Sequence, residues 1–283
     1  MVVSFVVIVL VGLIASLAIA IYAFKKRELS EGGTMAALFV GLAVFVLGGW
    51  NWLVILISFF ATSSLFTRFK KEQKKEVNLV FEKGGTRDFW QVFANGFLPL
   101  LFSALYFLNP SSELFIAFVA SVATVTADTW ATEIGVFFKN PRSIISFKKV
   151  PVGTSGAVSW QGLAVSLVGA LLIGLIAVVT NSLNNLLIDD LPGFLVSQFV
   201  GGKTFILVIG FSGFVGALVD SLLGASIQAS YYSPVLKKFT EREEVNGVKS
   251  DLKKGFRFID NDVVNFFSAI AGAGAAVYLI SVF

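Results

Sequence analysis

The chain has no cysteine and no histidine. The first absence rules out disulfides and thiolate metal sites. The second removes the usual general base near neutral pH. Acid–base or metal chemistry is left to carboxylates, hydroxyls, amides and lysines. Charge is also scarce: 14% of the residues carry one, against about a quarter in a soluble globule. What fills the space is hydrocarbon, with 56% hydrophobic residues among 283 and a mean hydropathy of +0.83. Repeated apolar runs near the ~20 residues needed to cross a bilayer indicate a polytopic membrane protein.

Eight spans are expected, at roughly 2–24, 34–48, 51–67, 89–108, 113–138, 157–180, 204–230 and 263–283. The first lacks a basic stretch before it and is followed by Lys25-Lys26-Arg27, so it reads as a retained span. The segment 186–202 is only moderately apolar and reads as an interfacial or re-entrant piece, or part of a ninth span. Every Lys and Arg except Lys203 falls in 25–27, 68–87, 139–149 or 237–257, loops that share one side of an eight-span arrangement. By the positive-inside rule those loops face the cytosol and both termini face out. The expected fold is a single all-α transmembrane bundle over 1–283, with short amphipathic helices in the long loops 68–88 and 231–262. The basic loops suit anionic lipid or phosphate; no nucleic-acid partner is expected.

Acids inside the spans carry the functional signal. In 124-TVTADTWATEIG-135, Asp128 shares a helical stripe with Ser121, Thr124 and Thr132. It lies roughly 15 Å below the cytosolic edge at Lys139. Glu133 is rotated by about 140° from it on an ideal helix. The seventh span repeats the pattern, with Ser212, Gly216, Asp220, Gly224 and Gln228 recurring every four residues. Arg87, Gln91 and Asn95 recur similarly in the fourth, and the eighth opens with Asn261, Asp262 and Asn265. Serines, threonines and glycines in such stripes commonly glue helices together. Aspartates differ, because each costs roughly 2.5–3.5 kcal/mol in hydrocarbon and usually marks a functional site.

The loop 147-FKKVPVGTSGAVSWQG-162 places Lys148 and Lys149 before Gly153-Thr154-Ser155-Gly156 and a helix start. Mobile glycine backbone, capping hydroxyls and free N–H groups make a candidate phosphate seat, although the order is not that of a Walker A loop. Carboxylates with amide and hydroxyl ligands suit Mg²⁺, whereas lysines, arginines and N–H groups suit phosphates. A pocket within one leaflet and open to water fits a reaction between a soluble nucleotide and a lipid head group. Phosphoryl transfer rests on positioning and charge neutralisation, so the missing histidine is no obstacle.

ADTWATEIG, PVGTSGAVSWQG, GALVDSLLGASIQ and FIDNDVVNFFSA resemble, in order, the signature blocks of an integral-membrane family that includes plant phytyl-phosphate kinase. GGTMAALFVG, FFATSSLFTRFKKEQKK and RDFWQVFANG fit the same series. The resemblance implies a fold related to phytol kinase, dolichol kinase and CDP-diacylglycerol synthase, which use CTP and a divalent metal. It implies phosphorylation of an isoprenyl monophosphate of phytyl or geranylgeranyl type to the diphosphate. Its motif positions fall on Asp128, Glu133, Gly153, Thr154, Ser155, Asp220, Asn261, Asp262 and Asn265. On this reading Asp128, Asp220 and Glu133 are the catalytic and Mg²⁺-binding acids. Lys148, Lys149, Gly153, Thr154 and Ser155 cradle donor phosphate, with Arg68, Lys71 and Arg87 as further phosphate ligands. Gln91, Asn95, Asn261, Asp262 and Asn265 orient them. Two other readings stay open at this point: cytidylyl transfer to a lipid phosphate, and ion-coupled transport with Asp128 and Asp220 binding the cation.

Overall fold

The structure is a computed structural model and describes residues 2–74, 79–81, 85–187 and 201–282. Among these residues eight α-helices dominate: α1 (Val2–Lys25), α2 (Glu31–Gly48), α3 (Trp50–Arg68), α4 (Phe89–Leu108), α5 (Ser112–Gly135), α6 (Trp160–Leu187), α7 (Gly202–Ser226) and α8 (Asn261–Val282). From α2 onward, all seven are long and apolar enough to cross a membrane. The expected polytopic helical bundle is thus the one that forms. The stretch 186–202 lies largely outside the described residues.

α5 is the axle of the bundle. It is buried on every face over Phe115–Val125, where only Ser121 and Thr124 are polar, and 78% of its spanning window is buried. A helix apolar all round belongs in a core. Its small hydroxyls are satisfied within the helix: Ser121, Thr124 and Thr126 donate to the carbonyls of Phe118, Ala120 and Val122 at 2.7, 2.9 and 2.7 Å. Ser121 and Thr124, from the stripe, are thus packing elements. The α3 residue Trp52 seals the end of the core away from the basic loops, with its ring 4.3 Å from Phe118 and 4.9 Å from Tyr106.

α5, α7 and α8 meet at Thr124. A Cβ at Gly216 would lie 2.4 Å from Thr124 Cγ2, and one at Gly272 would lie 2.0 Å from Thr124 Oγ1. Only glycine lets the three backbones close on this side chain. Asp128 sits one turn from Thr124 on α5, and Asp220 one turn from Gly216 on α7. The junction therefore fixes the separation of the two acids from beneath.

The loops depart from expectation. In place of amphipathic helices, 231–262 forms β3 (Ser230–Ser233), β4 (Lys238–Thr240) and β7 (Asp251–Lys254), ordered β4-β3-β7, with a hairpin of β5 (Glu244–Val245) and β6 (Val248–Lys249). Tyr231 and Ser233 are buried alternately with Ser230 and Tyr232, the two-residue period of a strand. Within 68–88 the described helical piece is a single 3₁₀ turn, Lys71–Lys74. The two loops clasp each other: Thr240 Oγ1 donates to the Val80 carbonyl at 2.7 Å, and Arg242 Nε to that of Phe81 at 2.7 Å. A third loop pairs β1 (Arg142–Ser143) with β2 (Ala157–Val158).

Candidate functional site

At the basic-loop end of α4, α5, α7 and α8 lies a cavity of about 230 Å³. Asp128 on α5 and Asp220 on α7 face each other across it, and their carboxyls interact directly. Gln91 and Asn95 come from α4, and Asn261 and Asn265 from the start of α8. Asp260 caps that helix by accepting from Val263 N at 2.9 Å, which aims its first turn at the cavity. Gly153, Thr154 and Ser155 close another side.

The lining is rich in oxygen without partners. Asp220 Oδ2, Gln91 Oε1, Asn95 Oδ1 and Asn265 Oδ1 are all buried and have no hydrogen-bond partner among the described residues. Leaving one such atom unpaired costs about 1–3 kcal/mol. Four acceptors around one space, on three helices, form a donor set for a hard cation. Charge points the same way. Among the described residues, four acids (Asp128, Glu133, Asp220 and Glu241) line the cavity against two bases (Lys74 and Arg87), a formal −2. Such a lining repels polyphosphate unless a cation enters with it.

The third acid proposed as a metal ligand does not join the first two. Among the described residues no group of three acidic side chains is gathered for a metal. Glu133, turned around the helix from Asp128, accepts from Thr67 Oγ1 at 2.6 Å and pairs with Lys74 Nζ at 2.6 Å. Lys74 is 2% exposed and also donates to the Phe66 carbonyl at 2.6 Å. Glu133→Gln alone should strand that ammonium and destabilise the chain by about 2 kcal/mol. Adding Lys74→Met should recover at least half of the loss. Thermal unfolding of the single and double variants in detergent checks this, and additive losses would refute the coupling.

Arg87 is buried, and its Nη1 donates to Ser64 Oγ at 2.9 Å with the guanidinium 5.3 Å from the Phe60 ring centre. Burial draws its pKa below the ordinary arginine value, and the charge of Glu133 opposes that shift. The other basic candidates stay outside. Arg68 pairs with Glu28, and Lys71 is exposed. Lys148 and Lys149 are exposed on the hairpin, where Lys149 bridges to Arg142. Asp262 is buried but does not line the cavity.

The glycine turn is more tightly built than a free anion seat. Thr154 Oγ1 donates to the Pro151 carbonyl at 2.8 Å, and Ser155 Oγ to Glu241 Oε1 at 2.6 Å. The residue capping α6 is Ser159, which accepts from Gly162 N at 3.1 Å. Glu241 also accepts from Gln228 Nε2 at 3.0 Å. Nearby, Lys254 Nζ donates to the Gly224 carbonyl at 2.8 Å; burial lowers its pKa, against the opposing pull of Glu241. Sequence reasoning missed Lys74 and Glu241 as site residues. Lys74 stood in the same basic run as Lys71, but the 3₁₀ turn that selects it leaves no periodic trace. Glu241 lies in an ordinary polar stretch, Thr240-Glu241-Arg242-Glu243-Glu244, and carried no signal.

Comparison with known proteins adds context. A family model described as "Integral membrane protein DUF92" matches residues 14–273. Protein PGR of Arabidopsis thaliana is 28% identical over 274 residues, 92% of this chain and 91% of the relative. An uncharacterized membrane protein of Methanocaldococcus jannaschii is 31% identical over 202 residues, 71% of this chain and 75% of the relative. Protein VTE6, chloroplastic, of Arabidopsis thaliana is 23% identical over 257 residues, 89% of this chain and 65% of the relative. No solved structure matches the chain.

Proposed function

From the premise that the chain belongs to the DUF92 family of integral membrane proteins, we propose that the cavity is the active site of a nucleotide-dependent lipid-phosphate kinase. Its acceptor is an isoprenyl monophosphate of phytyl or geranylgeranyl type, its donor CTP, and its product the isoprenyl diphosphate. The observation that carries this reading is the pair Asp128–Asp220 beside amide oxygens that have no partner among the described residues, in a cavity whose described lining is net negative. The motif resemblance to the family with plant phytyl-phosphate kinase supports it.

Asp128 and Asp220, with Gln91, Asn95 and Asn265, would hold Mg²⁺. When bound, that ion neutralises phosphate charge and orients the transferring group. The chain's own residues do the rest. Lys74 and Arg87 bind phosphate oxygens, and Gly153–Ser155 shield the cavity from bulk water. An acceptor phosphate oxygen attacks the γ-phosphorus, the bond from that phosphorus to the β-phosphate oxygen breaks, and the nucleoside diphosphate leaves. The attacking oxygen is already anionic, so no general base is needed and none of the histidine kind is present. The basic loops support a cytosolic side for the cavity.

Purified protein incubated with Mg²⁺, each nucleoside triphosphate in turn, and phytyl or geranylgeranyl monophosphate should give lipid diphosphate and CDP from CTP. Pyrophosphate with a CDP-lipid would replace kinase by cytidylyl transfer. No lipid product under any combination would sink the enzymatic reading.

A further inference from the structure

A second cavity of about 90 Å³ lies among α1, α2, α3 and α4. Ala20, Val40, Gly41, Leu53, Phe60 and Gly96 are among its walls. It is almost wholly apolar, and Arg87 and Asn95 line both it and the polar cavity. A ligand with its charge on Arg87 in the first cavity therefore finds hydrocarbon directly on the other side of the same two residues. Arg87 is a fixed post at this border. Ser64 and Phe60 hold its head, and its backbone is tied by Arg87 N donating to the Glu28 carbonyl at 2.8 Å and Ser30 N donating to its own carbonyl at 3.0 Å.

Size limits what the apolar cavity can hold. Its 90 Å³ is about three-fifths of the ~150 Å³ that accepts a benzene ring, so it takes a segment on the order of four carbons, no more than one isoprene unit. It extends along α3 from Phe60 to Leu53, about 10 Å. At Gly41 a Cβ would meet nothing closer than Leu53 Cδ1 at 3.8 Å, so a larger side chain there enters the space without striking backbone.

We propose that this cavity is the subsite for the phosphate-proximal isoprene unit of the acceptor, the remaining chain passing on into the bilayer. The assignment rests on the lipid-phosphate reading of the polar cavity. Selectivity then reads the branched five-carbon unit next to the phosphate and ignores chain length beyond it. One missing methyl in a fitted apolar pocket is worth about 10–200-fold in specificity.

The test uses the wild-type protein in nanodiscs and an isoprenyl monophosphate with a diazirine in its first unit. Adducts are mapped by mass spectrometry, with unlabelled geranylgeranyl monophosphate as competitor. Competable adducts on the α1–α4 cavity walls are expected. In parallel, kcat/KM for C10, C15 and C20 isoprenyl monophosphates should agree within about threefold, while an unbranched alkyl phosphate of equal length loses about tenfold or more. Gly41→Leu should raise KM for isoprenyl phosphates about tenfold and leave kcat within about twofold. Adducts confined to another face, or none that compete, would overturn the subsite. Turnover with adducts elsewhere would leave the kinase reading standing alone. Cavity adducts without any phosphoryl transfer would keep the subsite and remove the kinase.

Discussion

Asp220→Asn is expected to yield a folded, membrane-inserted chain that transfers phosphoryl groups about 10³-fold more slowly than the wild type. The amide matches the carboxylate in shape. Asp220 Oδ2 has no hydrogen-bond partner among the described residues, so no described contact is lost at that atom. Removing one of two facing carboxylates also relieves repulsion, which holds or raises stability. Activity should fall for the same reasons that stability does not. The cavity loses half of its central acid pair, and an amide oxygen is a weaker ligand for a hard cation than a carboxylate. A purely structural role for Asp220 predicts the reverse, a chain that melts earlier and works normally. Initial rates with CTP and geranylgeranyl monophosphate, alongside melting curves in detergent, separate the two. Turnover within threefold of wild type would refute the catalytic assignment.

The second large effect belongs to Gly156→Ala. Gly156 has φ +75°, a conformation that costs an alanine about 1–2 kcal/mol. Space is the greater obstacle. A Cβ there would sit 2.4 Å from Ala225 Cβ, from the Ala225 nitrogen and from the Ser221 carbonyl oxygen. Two of these are backbone atoms of α7, in the turn that follows Asp220, and cannot swing aside. The glycine turn must instead lift by about 1 Å, and it carries Ser155 and its bond to Glu241 along. A displacement of that size at a reacting centre costs about 10²-fold in rate. The expected result is a loss of about 3 kcal/mol in stability, a rate down by about two orders of magnitude, and faster hydrogen exchange over 151–158. Gly274→Ala is the control, since a Cβ there meets nothing within 4 Å on an exposed helical face. It should leave the rate unchanged and stabilise α8 slightly. Equal behaviour of the two variants would show that the close approach at Gly156 has no functional weight.

These two positions differ in how far the sequence announced them. Asp220 was legible because intramembrane carboxylates are rare and expensive, and because a four-residue repeat gave the helix face. The same periodicity singled out Asp128, Gln91 and Asn95, and the structure turns all four into one cavity. Hydropathy runs of about 20 residues were equally readable, so the helices lay close to where they were drawn. Gly156 was noticed as a loop glycine, but its partner Ala225 lies on another helix, beyond the reach of local pattern. Lys148 and Lys149 failed for a related reason. Adjacency in sequence to Gly153-Thr154-Ser155 is not adjacency in space, because the hairpin carries the lysines to its exposed side. The small sheet over 230–254 was missed because strands of two to four residues are too short to establish an alternating pattern.

The close meeting of α5, α7 and α8 at Thr124 makes the molecule mechanically lopsided. Where Gly216 and Gly272 press on one threonine there is no void to collapse, and that layer beneath the polar cavity behaves as an incompressible block. Both cavities described above border α4, and the apolar one lies wholly among α1 to α4. Hydrostatic pressure acts by eliminating voids, so it would squeeze the apolar cavity among α1 to α4 while the Thr124 junction kept its spacing.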